Sequence, residues 1–568
     1  MSIPRPEHPL PQMQRKDWIN LNGTWEFEID YGKSGRNRKM NEATSLKNSI
    51  TVPFCPESEL SGIGHKDFMN CVWYRKTVTL PDEWFSGNVI LHFGAVDYRA
   101  FVYVNGEEVG THIGGYSSFQ FNITKFLKKG ENVITVCAED EMRNGKQPEG
   151  KQCGNYFSMG CHYTRTTGIW QTVWLEHMPE NHIQSVKYYP DPDNDCLTIS
   201  AQVCGKGTFS AEAMFDGKPV GSAEAYSAGG VVNVCLKLSE KHLWEVGNGR
   251  LYDLTLKFDS DIVNSYFGLR NLKLEGMKFL INGKSVFQRL VLDQGFYPDG
   301  IYTASTEDAL INDIQLSLDA GFNGARLHEK VFESRFLYHC DRMGYIVWGE
   351  HANWGLDLSD FQSLYAFSSE WQEAVERDFN HPSIVGWCPL NETWDYCGKP
   401  QINEILAYVY DLTKRLDPTR PCIDTSGNFH VKTDIYDIHD YDQDVELFKS
   451  HYEPFKTGGE IYDNHKSRQK YGGQPYFISE YGGIKWDVVN NKEGWGYGQG
   501  PETMEEFMDR YQGLTDTLLD CDYMFGFCYT QLYDVEQEVN GLYTYDRKPK
   551  FDMAKIKAIN TRKAAIED

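Results

Sequence analysis

Residues 305–329 read STEDALINDIQLSLDAGFNGARLHE, and this stretch decides how the second half of the chain folds. Leu310, Ile314 and Leu318 recur every fourth residue, the spacing that lines apolar side chains along one helix face. Ser305 and Asp308 precede that run at capping-box spacing, and Gly321 sits where a helix C-terminal cap belongs. The NGARLHE that follows predicts a strand ending in charge. Outward from this unit the same alternation continues. A first strand is expected between residues 287 and 292, and YIVWGEH, IVGWCPLNE, PCIDTSG, IYDIHDY, PYFISEYGG and MFGFCYTQ come after. Helical stretches such as TMEEFMDRYQGLTDTLLD separate them. About eight β/α units predict closure into a (β/α)8 TIM barrel over residues 269–568.

Upstream of residue 269 helical periodicity is absent. Arg99 to Val104 alternates as RAFVYV and runs into Asn105-Gly106, a strong hairpin signal; ENVITVCAED and QTVWLE read as further strands. Residues 1–180 are therefore expected to form a jelly-roll-like β-sandwich. LTISAQV, VVNVCLKL and LYDLTLKF continue at short intervals, which suits an immunoglobulin-like β-sandwich over residues 181–268.

Composition sets outer bounds. Hydrophobic residues at 40% and charged residues at 24% are ordinary globular usage, which argues against a disordered body. The 14% aromatic content fits both large β cores and stacking on pyranose rings, and does not choose between them. Lys and Arg number 56 against 81 Asp and Glu, and the resulting −25 would repel phosphate backbones and anionic lipid, so neither nucleic acid nor a membrane is expected as partner. No apolar run approaches the ~20 residues that span a bilayer. The start MSIPRP carries no apolar signal core, and the 14 Cys are dispersed without a CxxC pair, so a reduced, cytoplasmic protein is expected. A homo-oligomer is compatible with this composition.

In a barrel the strand C-termini build the site. Polar residues at those ends are Asp293, Arg326, His328, Glu350, Asn391, Glu392, His439, Tyr441, Glu480, Tyr529 and Gln531. Glu392 closes IVGWCPLNE and Glu480 closes PYFISE, each straight after an apolar run, where an unpaired acid is costly. A single such Glu reads equally well as half of a structural ion pair. Two facing one mouth suit glycosidic cleavage, in which one carboxyl donates a proton to the leaving oxygen and the other attacks the anomeric carbon. Mutual repulsion and partial burial are expected to raise the acid's pKa toward neutrality. Retention needs the carboxyls about 5–5.5 Å apart and inversion roughly 6.5–9.5 Å, a distance that sequence leaves open. HEKVF at 328–332 lacks the second His of a zinc-protease helix, and no Rossmann fingerprint or phosphate loop is present.

LNGTWEFEID, WYRKTVTLP, the FGAVDYRAFVYVNGEEV stretch, TTGIWQTVWLE, FGLRNLKLEGMKFLINGK, NHPSIVGWCPLNE, FISEYGG and GLYTYDRKPK together carry a resemblance. From about residue 18 to 552 the chain resembles glycoside hydrolase family two, which includes bacterial β-galactosidases, β-glucuronidases and β-mannosidases. The resemblance implies that Glu392 is the general acid/base and Glu480 the nucleophile of a retaining enzyme. It further implies that Asn391 bonds the sugar's 2-hydroxyl, that Tyr441 holds Glu480, and that Arg326 fixes the nucleophile's charge. Trp354 and Trp486 are expected to wall the subsites.

Departures surround the glycone site. Leu292-Asp293-Gln294 stands where the family has a histidine-glutamate pair, and Arg326-Leu327-His328 replaces an arginine followed later by serine-histidine. His439 falls near an asparagine position, and Tyr529 stands where many members place a tryptophan platform. Asp293, His328, His439 and Tyr529 are accordingly expected as glycone ligands. Glucuronidases of the family grip the substrate carboxylate with an Asn-x-Lys element, whereas Glu538-Val539-Asn540-Gly541 here has no lysine and an added acid. The expectation is an exo-acting β-glycosidase for a neutral, galacto-configured sugar. Alternatives are a β-glucuronidase, an enzyme for an unusual pentose, deoxy sugar or furanose, a transglycosylase, and a catalytically inactive carbohydrate-binding protein. The chemistry calls for an oligosaccharide or glycoside and no cofactor, and no residue cluster assigns a metal.

Overall fold

The computed structural model describes residues 3–488 and 494–567. The N-terminal part packs a four-stranded sheet against a six-stranded one. Trp25, Tyr74, Leu91, Phe93, Val102 and Val136 fill the space between them. The expected hairpin forms: Arg99–Val104 pairs antiparallel with Glu107–Ile113. Asn105 and Gly106, both at positive φ (53° and 86°), make the tight turn that this strand twist favours. Next comes a sandwich of three and four strands. In Gly230–Lys237 only Val232, Val234 and Leu236 turn inward, the period-two pattern of a sheet with one wet face.

The barrel strands are β1 (Gln288–Asp293), β2 (Gly324–Leu327), β3 (Ile346–Glu350), β4 (Ile384–Cys388), β5 (Thr425–Ser426), β6 (Tyr436–Asp440), β7 (Tyr476–Gly482) and β8 (Met524–Thr530). Seven of them form one ladder in the order β4-β3-β2-β1-β8-β7-β6. The short β5 fills the remaining gap: Cys422 bridges Trp387, and Thr425–Ser426 pairs in parallel with Leu390–Asn391 just beyond β4. These strands are buried along their whole length, as the continuous apolar runs require.

The helices are α1 (Glu307–Asp319), α2 (Ser334–Met343), α3 (Gln362–Asp378), α4 (Asn403–Leu416), α5 (Val445–Lys456), α6 (Met504–Leu519) and α7 (Met553–Asn560). α1 begins one residue later than the sequence suggested. Thr306, not Ser305, caps it, accepting from Ala309 N. Its C-terminus closes as expected, with Gly321 at φ 88° and paired bonds from Gly321 N to Leu318 O and Phe322 N to Ser317 O. Leu310 and Ile314 are buried, each contributing about 1.5–3 kcal/mol by leaving water. Among the described residues the fifth unit has no helix: residues 427–435 lead directly from β5 to β6, a stretch too short for a helix and two connections.

Residues 140–167 of the N-terminal part leave their sandwich and lie over the barrel. Glu149 N and Gly150 N donate to Trp354 O, and Gln537 Nε2 donates to the carbonyls of Gly160 and His162. Gly150 is required at this crossing, since it has φ 59° and a Cβ there would lie 2.4 Å from Glu329 O. Tyr116, Tyr163 and Trp170 join the barrel's own apolar cluster. Among the described residues no helix is long and apolar enough to cross a membrane.

Candidate active site

Arg326 ends β2, is buried, and organises the barrel mouth. Its Nε donates to Glu350 Oε1 at 2.6 Å, Nη1 to Glu480 Oε1 at 2.9 Å and to Ser479 O at 2.8 Å, and Nη2 to Asn391 Oδ1 at 3.0 Å. The strands β2, β3 and β7 and the Leu390–Asn391 segment just beyond β4 are thereby tied by one guanidinium, whose planar fork suits several acceptors at once. Glu480 receives a second donor, the Tyr441 hydroxyl, on Oε2. The Tyr441 ring stacks on Tyr497 with centroids 3.4 Å apart. The nucleophile candidate is thus fixed through both oxygens.

Glu392 stands just past Leu390–Asn391 in the left-handed region at φ 44°, and its amide donates to Ser426 O. That conformation costs an L-residue about 1–2 kcal/mol, and such strain concentrates at functional sites. Its carboxylate, with one-fifth of the side chain exposed, meets His439 Nδ1 at 2.7 Å. His439 Nε2 lies 2.9 Å from Ser426 Oγ and 3.4 Å from Glu480 Oε1. One carboxylate oxygen from each Glu and one His439 nitrogen all fall within 4.8 Å of one another.

This ring overturns the expected electrostatics. Repulsion from Glu480 does not raise Glu392. Burial pushes its pKa up, but the hydrogen bond and charge of His439, backed by Lys151 and Arg326, outweigh that and hold it below the usual value. For His439 burial opposes the charge, and Glu480 and Glu392 together overcome it and raise its pKa. With substrate absent, the proton therefore resides chiefly on His439.

The other expected ligands divide into two groups. Asn391 is present: its Nδ2 is buried without a partner, while Asn353 Nδ2 and Trp354 Nε1 hold its carbonyl. Trp354, half-buried, therefore does border the site. His328 is also present, with Nδ1 3.2 Å from Glu350 Oε2 and 3.9 Å from Glu480 Oε1. Burial first, then Lys151, keeps it neutral.

Asp293 is occupied elsewhere: its Oδ1 accepts from Gly295 N and the Tyr533 hydroxyl, bracing the loop after β1, and burial lifts its pKa to about 6. Trp486 packs against Phe507 and Phe551, a core position rather than a subsite wall. Tyr529 faces outward from β8 onto Tyr511 of α6 and Tyr481, because strand residues alternate sides. Its neighbour Thr530 points inward instead, with Oγ1 3.0 Å from the Tyr441 hydroxyl.

Further residues join the site: Gln294, Gln531 and Glu538 stand in stretches noted above without having been expected as ligands, and Lys151 was not anticipated at all. Gln294 Nε2 donates to Gln531 Oε1, leaving Gln294 Oε1 and Gln531 Nε2 buried and unpartnered. Glu538 accepts from the Tyr163 hydroxyl and Asn540 Nδ2, and burial raises its pKa to about 7. Lys151 comes from the N-terminal part, its Nζ 3.8 Å above the Trp354 ring. The one signal for it was length: residues 140–167 form a long connection with no element predicted, and such connections are commonly functional. Only two groups of described residues gather three metal-binding atoms, the Glu392–His439–Glu480 set and Cys71–Cys137–Glu139. A cation on the first would consume both carboxylates.

Comparison with known proteins matches both parts of the chain to one family. Residues 19–179 match the family model described as glycosyl hydrolases family 2, sugar binding domain, and residues 272–564 match the family 2 TIM barrel domain. A β-glucuronidase of Paenibacillus borealis is 24% identical, with 94% of each chain aligned. A β-galactosidase of Thermoanaerobacter pseudethanolicus is 26% identical over 76% of this chain and 58% of its own length. The solved β-glucuronidase of an uncultured Clostridium species superposes with a TM-score of 0.80 at 21% identity, covering 97% of this chain and 99% of that one, a likeness of fold.

Proposed function

The chain belongs to glycosyl hydrolase family 2 and is a glycoside hydrolase, and from that premise we propose a retaining, exo-acting β-glycosidase with Glu480 as nucleophile and Glu392 as general acid/base. The observation that carries this reading is the acid pair itself, with oxygens within 4.8 Å, Glu480 held by Arg326 and Tyr441, and Glu392 held by His439. Nearest oxygens that close favour the roughly 5–5.5 Å carboxyl separation of retention over the roughly 6.5–9.5 Å that leaves room for a water in inversion.

In the first step a Glu480 oxygen bonds to the anomeric carbon as the bond to the leaving oxygen breaks. The leaving oxygen takes from Glu392 the one proton of the pair, which His439 Nδ1 passes to that carboxylate across 2.7 Å, leaving Glu392 ionised and His439 neutral. Esterification removes the Glu480 charge. Glu392 then takes a proton from water as it attacks the anomeric carbon, and Glu480 leaves as carboxylate. Asn391 Nδ2 is free to donate to the sugar's 2-hydroxyl throughout.

For the glycone we propose a β-glucuronide. The P. borealis enzyme, aligned over nearly its whole length, supports this, as does an ammonium in the pocket, Lys151, although the Asn-x-Lys element is missing. A neutral galacto-configured sugar stays as a second reading because the stretch that lacks the lysine adds an acid, Glu538. A panel of nitrophenyl glycosides separates the two. A kcat/KM ratio favouring the β-glucuronide over the matched β-galactoside near pH 6 is expected. A ratio favouring the galactoside returns the assignment to the neutral sugar, and no turnover of any donor leaves a binding protein.

A further inference from the structure

We propose that Lys151, carried by the N-terminal part of the chain, takes the carboxylate of a uronic acid glycone; this rests on the glucuronide reading above. Lys151 is only 5% exposed. Among the described residues its ammonium has no hydrogen bond or ion pair, only the Trp354 ring beneath it. Burial opposes this charge, and Cys161, Glu538, Glu392 and Glu480 outweigh it from a distance and raise its pKa, so what the ammonium lacks is a direct partner, for which a ring face is only a partial substitute. Backbone contacts fix where it sits: Tyr163 N donates to Lys151 O at 2.7 Å, and Gly150 N beside it donates to Trp354 O at 3.2 Å.

The groups whose charge it feels are Glu538, Glu392, Glu480 and Cys161, with His162 and His328 close by. None of the carboxylates is within ion-pair distance. Glu392 is engaged by His439, Glu480 by Arg326 and Tyr441, and Glu538 by Tyr163 and Asn540. Sugar hydroxyls would give the ammonium ordinary hydrogen bonds, whereas a ligand carboxylate gives it shorter and stronger charge-assisted ones. Gln531 Nε2, buried and unpartnered in the same mouth, offers a second donor. The lysine that the barrel segment at 538–541 lacks is thus supplied by the other domain.

The experiment measures kcat/KM for matched 4-nitrophenyl β-glucuronide and β-galactoside on the full chain, for wild type, Lys151→Gln and Lys151→Arg. Lys151→Gln is expected to lose about 100-fold more on the glucuronide than on the galactoside, because truncating one partner of a buried charge pair strikes the charged ligand hardest. Lys151→Arg should recover part of the glucuronide activity. Equal losses on both donors, or none on the glucuronide, overturn the assignment of Lys151 while leaving the glucuronide reading standing. A wild type that ignores the glucuronide overturns that reading and this inference with it. Should Lys151→Gln fail to fold, Glu538→Gln serves in its place. Removing the neighbouring acid is expected to raise the glucuronide-to-galactoside ratio, and a fall in that ratio counts against a carboxylate at this position.

Discussion

Glu392 acts as a unit with His439, and that pairing sets how activity should respond to pH. A carboxyl and an imidazole 2.7 Å apart share one proton, so the pair titrates together and keeps that proton up to the raised pKa of the imidazole. With His439→Asn the proton must stay on Glu392 alone, a carboxyl with an ordinary value near 4.5 that burial pushes up. The alkaline limb of the kcat/KM profile should then move to lower pH, with KM little changed. An unmoved limb would show that His439 is a spacer. At this scale the sequence was informative where a polar residue followed an apolar run: Arg326, Asn391, Glu392, Tyr441 and Glu480 all converge. It misjudged the acid's pKa because that value depends on where the His439 ring lands between two strands, which spacing along the chain does not encode.

Strand alternation settles the fate of Tyr529. Its ring lies between β8 and α6, and its hydroxyl is buried without a partner. Tyr529→Phe should leave kcat/KM within about 2-fold of wild type and stability unchanged or slightly higher, since no hydrogen bond is lost. A loss above 10-fold on every donor would place it back at the sugar. The eight strands were legible as apolar runs of the right length, but the side each residue faces at a strand's last positions was not.

The fifth unit shows another limit of the sequence reading. The helix-free loop at 427–435 is pinned by His430, whose Nδ1 lies 2.7 Å from Asp424 and whose Nε2 lies 3.1 Å from Asp437. Asp437 in turn accepts from Ser426 and Ser479 below the acid pair. Burial opposes charge on His430, and the two aspartates override it, raising its pKa from 6.5 to about 10. The folded state therefore holds a proton that the unfolded state gives up. This stabilisation is complete below pH ~6.5 and is lost as pH rises toward 10, at about 1.4 kcal/mol per pH unit. Urea midpoints at pH 6.5, 8 and 9.5 should fall accordingly, and His430→Gln should flatten the trend. A slope unchanged by that substitution would assign it to other groups.

Across the whole molecule the N-terminal sandwich and the barrel share one apolar cluster through Tyr116, Tyr163 and Trp170, and they share one catalytic mouth through Lys151. The change of grammar near residue 269 was visible in the sequence. The return of residues 140–167 to a barrel more than a hundred residues downstream was not, because it depends on long-range packing with no local period. In the proposed mechanism Glu480 carries the sugar covalently, and the most direct measurement of that role is to trap the intermediate. The protein is treated with the 2-deoxy-2-fluoro glycosyl fluoride of its best panel sugar, then digested and weighed by mass spectrometry. The account predicts one fluoroglycosyl adduct, on the peptide that contains Glu480. An adduct on any other residue would contradict it.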